Sequence, residues 1–145
     1  MTAAPRLEAA YRATSYMVLS VTGRPEFMIR CGTPSPEVDR LLAGRAFDGW
    51  AFITACNPRS QILPEAENAA RMARLEAALR DRGHGWLPGS GQGDAGDWPA
   101  EPSLLVLGIP EVEAVAIAAA FDQHAILVGR RGEPARLVWT AAPRK

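Results

Sequence analysis

The apolar run Trp50-Ala51-Phe52-Ile53-Thr54-Ala55, followed by Cys56-Asn57-Pro58-Arg59-Ser60, decides how this chain folds. Its first six residues form a continuous run of strand length, which is typical of a strand buried on both faces. Asn57-Pro58 then supplies turn chemistry that stops the strand. The stretch therefore predicts an interior strand of a sheet, with polar side chains placed at its carboxyl end.

Strands and helices alternate on both sides of this run. The predicted strands are 16–21, 26–30, 84–87, 103–109, 125–128 and 135–139, and the predicted helices are 36–44, 64–82 and 110–121. On the longest helix, Met72, Leu75 and Leu79 share a buried face, while Glu76 is assigned to the solvent face. The pattern predicts one α/β (α+β) domain over residues 1–145, in which about three helices pack on a mixed β-sheet and residues 1–10 are flexible.

Composition and charge exclude several classes of function. Sixteen acidic residues balance sixteen basic ones in 145 residues, so no global field favours nucleic acid or an anionic membrane as a partner. No apolar run approaches the roughly 20 residues needed to cross a bilayer, and residues 1–11 lack the apolar region of a signal peptide. These features predict a soluble, cytoplasmic protein.

The sequence offers no metal or cofactor motif. Cys31 and Cys56 cannot form a disulfide scaffold and are expected to be buried free thiols. His84 and His124 lie far apart without nearby ligand spacing, so both are expected to be structural. The glycine-rich run 89–93 superficially suggests a phosphate cradle, but no helix follows it, which excludes a nucleotide-binding fingerprint.

Four polar residues near the exit of the interior strand are the first candidate ligand contacts. Asn57, Arg59 and Ser60 follow the strand, where ligands bind in open α/β sheets. Asn68 lies one turn before Met72 on the buried face of the longest helix, so it needs a polar partner. A structural interpretation is equally compatible, in which Asn57 forms a turn before proline and Asn68 satisfies the loop backbone.

A second group of candidates follows the long polar segment 88–102, which is predicted to be a loop. Its end places Trp98, Glu101 and Ser103 at the start of a buried strand, where Glu101 has the chemistry of a general acid or base. The structural alternative is that Trp98 covers the core edge and Glu101 pairs with an arginine. Gln123, between the last helix and the next strand, completes the set of candidate ligand contacts.

Several of these segments together resemble a bacterial family of unknown function. They are Tyr11-Arg12-Ala13-Thr14, residues 51–60, Glu67-Asn68, residues 98–103 and residues 121–126. The chain is similar, from Tyr11 to about Val138, to the family known as domain of unknown function 3293. It departs from that pattern at Cys56, where an aromatic residue is expected, and at Asp122, where glycine is expected. The resemblance implies that these residues belong together, but it implies no activity.

Two functions are compatible with the sequence. In the first, a cytosolic domain binds a small polar or phosphate-bearing ligand. Arg59 then meets the anionic group, Trp98 stacks on a ring, and Glu101 performs any acid/base chemistry while Asn57 orients the substrate. In the second, the domain is a non-catalytic protein-interaction or regulatory module, and its asparagines are structural.

Overall fold

An antiparallel β-sheet is the frame of the computed structural model, which describes residue 9 and residues 12–93 and 100–140. Its seven strands within these residues are β1 (Thr14–Leu19), β2 (Pro25–Ile29), β3 (Gly49–Ile53), β4 (Gly85–Gly93), β5 (Glu101–Leu107), β6 (Ala125–Arg130) and β7 (Arg136–Trp139). The helices wholly within them are α1 (Pro36–Arg45), α2 (Glu65–Asp81) and α3 (Glu111–Ala120). None of the described helices has the length and apolar content to span a membrane. Apart from residue 9, the segment 1–10 predicted to be flexible lies outside the described residues.

The strand order is β2-β1-β4-β5-β3-β6-β7, and all pairs between these described strands are antiparallel. The predicted α+β domain is confirmed, but its sheet is antiparallel rather than mixed. The crossovers through α2 and α3 each skip one position in the sheet, whereas the crossover through α1, from β2 to β3, skips three. Thus α2 joins the parallel-running β3 and β4, with β5 between them, and α3 joins β5 and β6, with β3 between them. A helix between two strands therefore did not make those strands neighbours.

β3 is buried on both faces, as its apolar run predicts. Ala51 and Ile53 pack into a core that includes side chains of α2 and α3. Trp50 and Phe52 point to the opposite face, into a second core that includes α1. This alternation is the period of two expected of a strand, so helices cover both faces of the sheet.

The glycine-rich run after Pro88 continues β4, so the loop predicted over 88–102 is wrong for residues 88–93, and also for residues 101 and 102, which begin β5. These residues pair with β1 on one side and with β5 on the other. Glycine is required here because Phe52 crosses the strand closely. A Cβ placed on Gly89 would lie 2.7 Å from Phe52 Cζ and 2.9 Å from the Met17 carbonyl oxygen. Gly89 therefore marks close packing inside a sheet rather than a flexible segment.

A hydrogen-bonded charge cluster ties the end of α2 to the first turn of α3. His84 Nε2 lies 3.0 Å from Glu113 Oε2, and Arg82 donates to the same oxygen at 3.4 Å. The hydrogen bond from His84 lowers the pKa of the Glu113 carboxyl, against a smaller opposing effect of burial. The predicted structural role of His84 is thus confirmed.

Replacement of Gly89 by alanine should destabilise the fold, because the added methyl group would overlap Phe52 and a main-chain oxygen. We expect Gly89→Ala to lower the free energy of unfolding by about 1–3 kcal/mol, as overpacking does elsewhere. Gly85→Ala on the same strand is the matched control, since nothing lies within 4 Å of its added Cβ. Urea denaturation of both variants tests this, and equal stabilities would contradict the packing argument.

Glu113→Gln should change the pH dependence of stability. The folded state favours the ionised carboxylate, so its contribution is complete above the ordinary pKa of 4.5 and is lost as the pH falls through the lowered value. We expect the variant to lose about 0.5–1 kcal/mol at neutral pH, the size of a partly exposed ion pair. The difference from the wild type should shrink below pH 4.5. A pH-independent difference in denaturant titrations would exclude this origin.

Candidate ligand-binding cleft

The chain leaves β3 through a tightly bonded turn. Thr54 Oγ1 accepts a hydrogen bond from the Cys56 amide at 3.0 Å and donates to the Pro102 carbonyl at 2.7 Å. Asn57 then adopts a left-handed backbone conformation, with φ 49° and ψ 61°, before the 3₁₀ turn Pro58–Ser60. Asparagine tolerates this conformation better than most residues, and proline cannot continue a strand. β3 itself ends at Ile53, two residues before the predicted end at Ala55, and Asn57-Pro58 forms the turn that follows.

The buried side chain of Asn57 connects three segments of the chain. Its Nδ2 donates to Glu101 Oε2 at 2.8 Å. Its Oδ1 accepts from the Leu63 amide and from Asn68 Nδ2, both at 2.9 Å. The main-chain amide of Asn57 donates in turn to Asn68 Oδ1 at 2.9 Å. Asn57, Asn68 and Glu101 thus meet at the end of β3. Asn68 satisfies loop backbone as the structural interpretation predicts, whereas the side chain of Asn57 does not cap the turn at Pro58 and bonds the Leu63 amide instead.

Two neighbours of Asn68 on α2 fix the helix against the end of β3: Met72, which the sequence places on the buried face, and Arg71, which no sequence pattern singled out. Met72 Sδ accepts the amide of Ala55 at 3.3 Å. Arg71 donates from Nε to the Ala55 carbonyl at 2.6 Å and from Nη2 to the Phe121 carbonyl at 2.5 Å. The sequence does contain one indication of this role. Arg71 is three residues after Asn68, so the two side chains are neighbours on the helix surface, and it directly precedes the buried Met72.

An open cleft of 620 Å³ lies between α2 and the start of β5. Its described polar and charged lining residues are Asn57, Asn68, Glu65, Glu76 and Glu101. Its other described lining residues are Cys56, Ile62, Leu63, Ala69, Met72, Ala73, Ala100 and Pro102. The described lining therefore combines a largely apolar wall with three carboxylates and contains no arginine or lysine.

The other candidates lie elsewhere. Arg59 is exposed and pairs with Asp122 Oδ1 at 3.2 Å. Ser103 Oγ donates to the Glu101 carbonyl at 3.0 Å, and Gln123 Nε2 donates to the Cys56 carbonyl at 3.1 Å. None of these three side chains is part of the described cleft lining. Ser103 and Gln123 instead bond main-chain carbonyls next to the cleft, and Arg59 pairs with a side chain.

Two further candidates fall outside what the structure describes. Trp98 belongs to the undescribed segment 94–99, so its predicted ring stacking stays a prediction. The backbone of Ser60 forms part of the 3₁₀ turn, but its side chain is not among the described groups.

The thiol of Cys56 is buried beside the cleft, as expected of a structural cysteine. Burial raises its pKa, and the negative charge of Glu101 acts in the same direction. The hydrogen bond with Thr54 and the positive charge of Arg71 oppose the shift without reversing it. A thiol with a raised pKa is protonated at neutral pH, which is the opposite of an activated nucleophile.

Substitutions of Asn57 should separate its hydrogen bonds from its backbone conformation. Asn57→Gly removes the side-chain bonds together with the Cβ, and we expect it to lower the free energy of unfolding by about 1–3 kcal/mol. Asn57→Ala loses the same bonds but keeps a Cβ in the left-handed region, which alanine tolerates less well than asparagine, for a further loss of about 1 kcal/mol. Thermal and denaturant unfolding of both variants provide the measurement. Equal stability of the alanine and glycine variants would contradict the assigned backbone strain.

Comparison with known proteins identifies the family but not an activity. A family model described as "Protein of unknown function (DUF3293)" matches residues 53–126, from the last residue of β3 into β6. The match includes Asn57, Asn68 and Glu101. No curated protein and no solved structure matches the chain. Since the family model covers half of the sequence, this chain belongs to the DUF3293 family.

Proposed function

We propose that this domain binds a small organic molecule in the cleft between α2 and the start of β5. One observation carries the proposal: Asn57 holds the Glu101 carboxylate at 2.8 Å on the edge of a largely apolar cavity of 620 Å³. Small-molecule sites occupy about 300–1,000 Å³ and combine apolar walls with a few oriented polar groups. The free thiols Cys31 and Cys56 fit a reducing compartment, so the proposal places this binding in the cytoplasm.

The cleft favours binding over catalysis. The described lining contains no serine, threonine, histidine or lysine that would serve Glu101 as a nucleophile or proton-transfer partner. Asn57 Oδ1 already accepts two hydrogen bonds, so this asparagine orients Glu101 rather than the substrate. In the proposed role, Glu101 is a fixed hydrogen-bond acceptor for the ligand.

The charge of the cleft also argues against phosphate as the recognised group. Phosphate sites use arginine, lysine or helix amides, whereas the described lining offers carboxylates. Arg59, the residue predicted to meet an anion, instead pairs with Asp122 outside the described lining. The proposed ligand is therefore polar, but the geometry does not favour a phosphate-bearing one.

The alternative of a protein-interaction module has less support. The large apolar side chains exposed among the described residues belong to five separate segments: Val21, Met28, Phe47, Ile62 and Val112. A docking surface would need a contiguous patch of a few hundred Å². Ile62 alone of these five residues borders the cleft, where it fits the small-molecule proposal equally well.

A cavity-filling substitution tests the proposal. Ala69 is exposed on α2 and lines the cleft, whereas its exposed neighbour Ala70 does not. Leucine is nearly as good a helix former as alanine, so Ala69→Leu should obstruct the cleft without unfolding the helix, and Ala70→Leu is the matched control.

The three proteins are screened by thermal shift with phosphate, nucleotides, sugar phosphates, amino acids and linear amines. A ligand present at about 100 times its Kd stabilises its target by about 2.7 kcal/mol, a readily measured shift. We expect at least one compound to stabilise the wild type and Ala70→Leu but not Ala69→Leu. Equal responses of all three proteins, or no response to any compound, would contradict a ligand site in this cleft.

A further inference from the structure

We infer that the cleft takes a linear organic cation with an amino group at each end of an apolar chain. This inference rests on the proposed function, because it names the ligand class for the same site. It follows from where the three cleft carboxylates lie and from what lies between them.

The charges are spread along one face of α2. Glu65 and Glu76 both line the cleft and are eleven residues apart, which is close to three full helical turns. They therefore share a face and are separated by about 16 Å along the helix axis. The cleft wall formed by α2 thus has a carboxylate near each end.

The wall between the two glutamates is mostly apolar. It consists of Ala69, Met72 and Ala73, whose small alanine side chains leave room beside the helix, and of Asn68, whose amide group is bonded to Asn57. Such a surface suits a methylene chain, whose burial against apolar side chains is favourable. On the opposite wall, Asn57 holds Glu101 in place as a third carboxylate. The pattern of charge, apolar surface and charge is complementary to a diamine.

Other ligand charges fit less well. The described lining contains no basic side chain, and Arg71 on the same helix is engaged by the carbonyls of Ala55 and Phe121. No group of three or more His, Cys, Asp or Glu side chains within the described residues is arranged to hold a metal ion. Separated carboxylates favour an extended organic cation over a compact metal ion. The whole chain has no net charge, so this negative potential is local and screened by salt.

Isothermal titration with four matched probes tests the inference. They are 1,8-diaminooctane with two charges, octylamine with one, 1,8-octanediol with none, and inorganic phosphate. Each partly exposed ion pair adds about two- to fivefold to affinity, so the diamine should bind more tightly than octylamine by that factor. The diol and phosphate should bind more weakly than either amine, and added salt should weaken diamine binding.

Charge-neutralising variants locate the two ends of the ligand. We expect Glu65→Gln and Glu76→Gln each to weaken diamine binding by about two- to fivefold. The double variant should bind the diamine no better than the wild type binds octylamine. Glu67→Gln is the matched control, because Glu67 is on the same first turn as Glu65 but is not part of the described lining. It removes the same charge and should leave the affinity unchanged.

The outcomes distinguish this inference from the proposed function. Equal affinities for diamine and monoamine, equal effects of Glu67→Gln and Glu76→Gln, or preferential binding of phosphate would each overturn the inference. Absence of binding by all four probes would overturn it as well. A neutral or anionic compound that binds in a manner sensitive to Ala69→Leu would leave the proposed function standing, whereas failure of the whole metabolite screen would remove both.

Discussion

The buried amide of Asn57 is the interaction on which the proposed site depends. Its side chain joins the end of β3 to Leu63 and Asn68 at the start of α2, and to Glu101 at the start of β5. A buried polar group must be satisfied, and here each bond that satisfies it also fixes a wall of the cleft. One side chain therefore couples the stability of the turn to the orientation of the Glu101 carboxylate.

The antiparallel arrangement of the sheet explains why these residues meet. Ile53 at the end of β3 pairs with Leu104 near the start of β5, so the residues after Ile53 lie beside those before Leu104. Asn57 and Glu101 are 44 positions apart in the sequence, yet strand pairing brings their segments together. In a parallel pair, the end of one strand would lie beside the end of the other. The position of β5 between β3 and β4 therefore places the end of β3 beside the start of β5, where the cleft lies.

The sequence predicted the parts of this arrangement that depend on local patterns. The apolar run of β3 indicated an interior strand, and the spacing from Asn68 to Met72 placed an amide on the buried face of α2.

The strand order could not be derived, because helix-linked strands need not be neighbours. The extension of β4 was missed since Gly89 looks like a turn residue until Phe52 is placed against it. Glu76 was assigned to solvent, because only the position of β5 shows that this face of α2 borders a cleft. Asp122, where the family pattern leads us to expect glycine, has a φ of 60°, which explains that preference.

The NMR environment of the Asn57 side-chain amide shows directly whether this residue joins the three segments. We expect nuclear Overhauser contacts from its amide protons to the side chain of Glu101 and to the side-chain amide of Asn68. We also expect hydrogen exchange slowed relative to exposed asparagines. Rapid exchange of the Asn57 amide protons, without contacts to either residue, would show that the three segments are not joined and that the cleft lacks its fixed carboxylate.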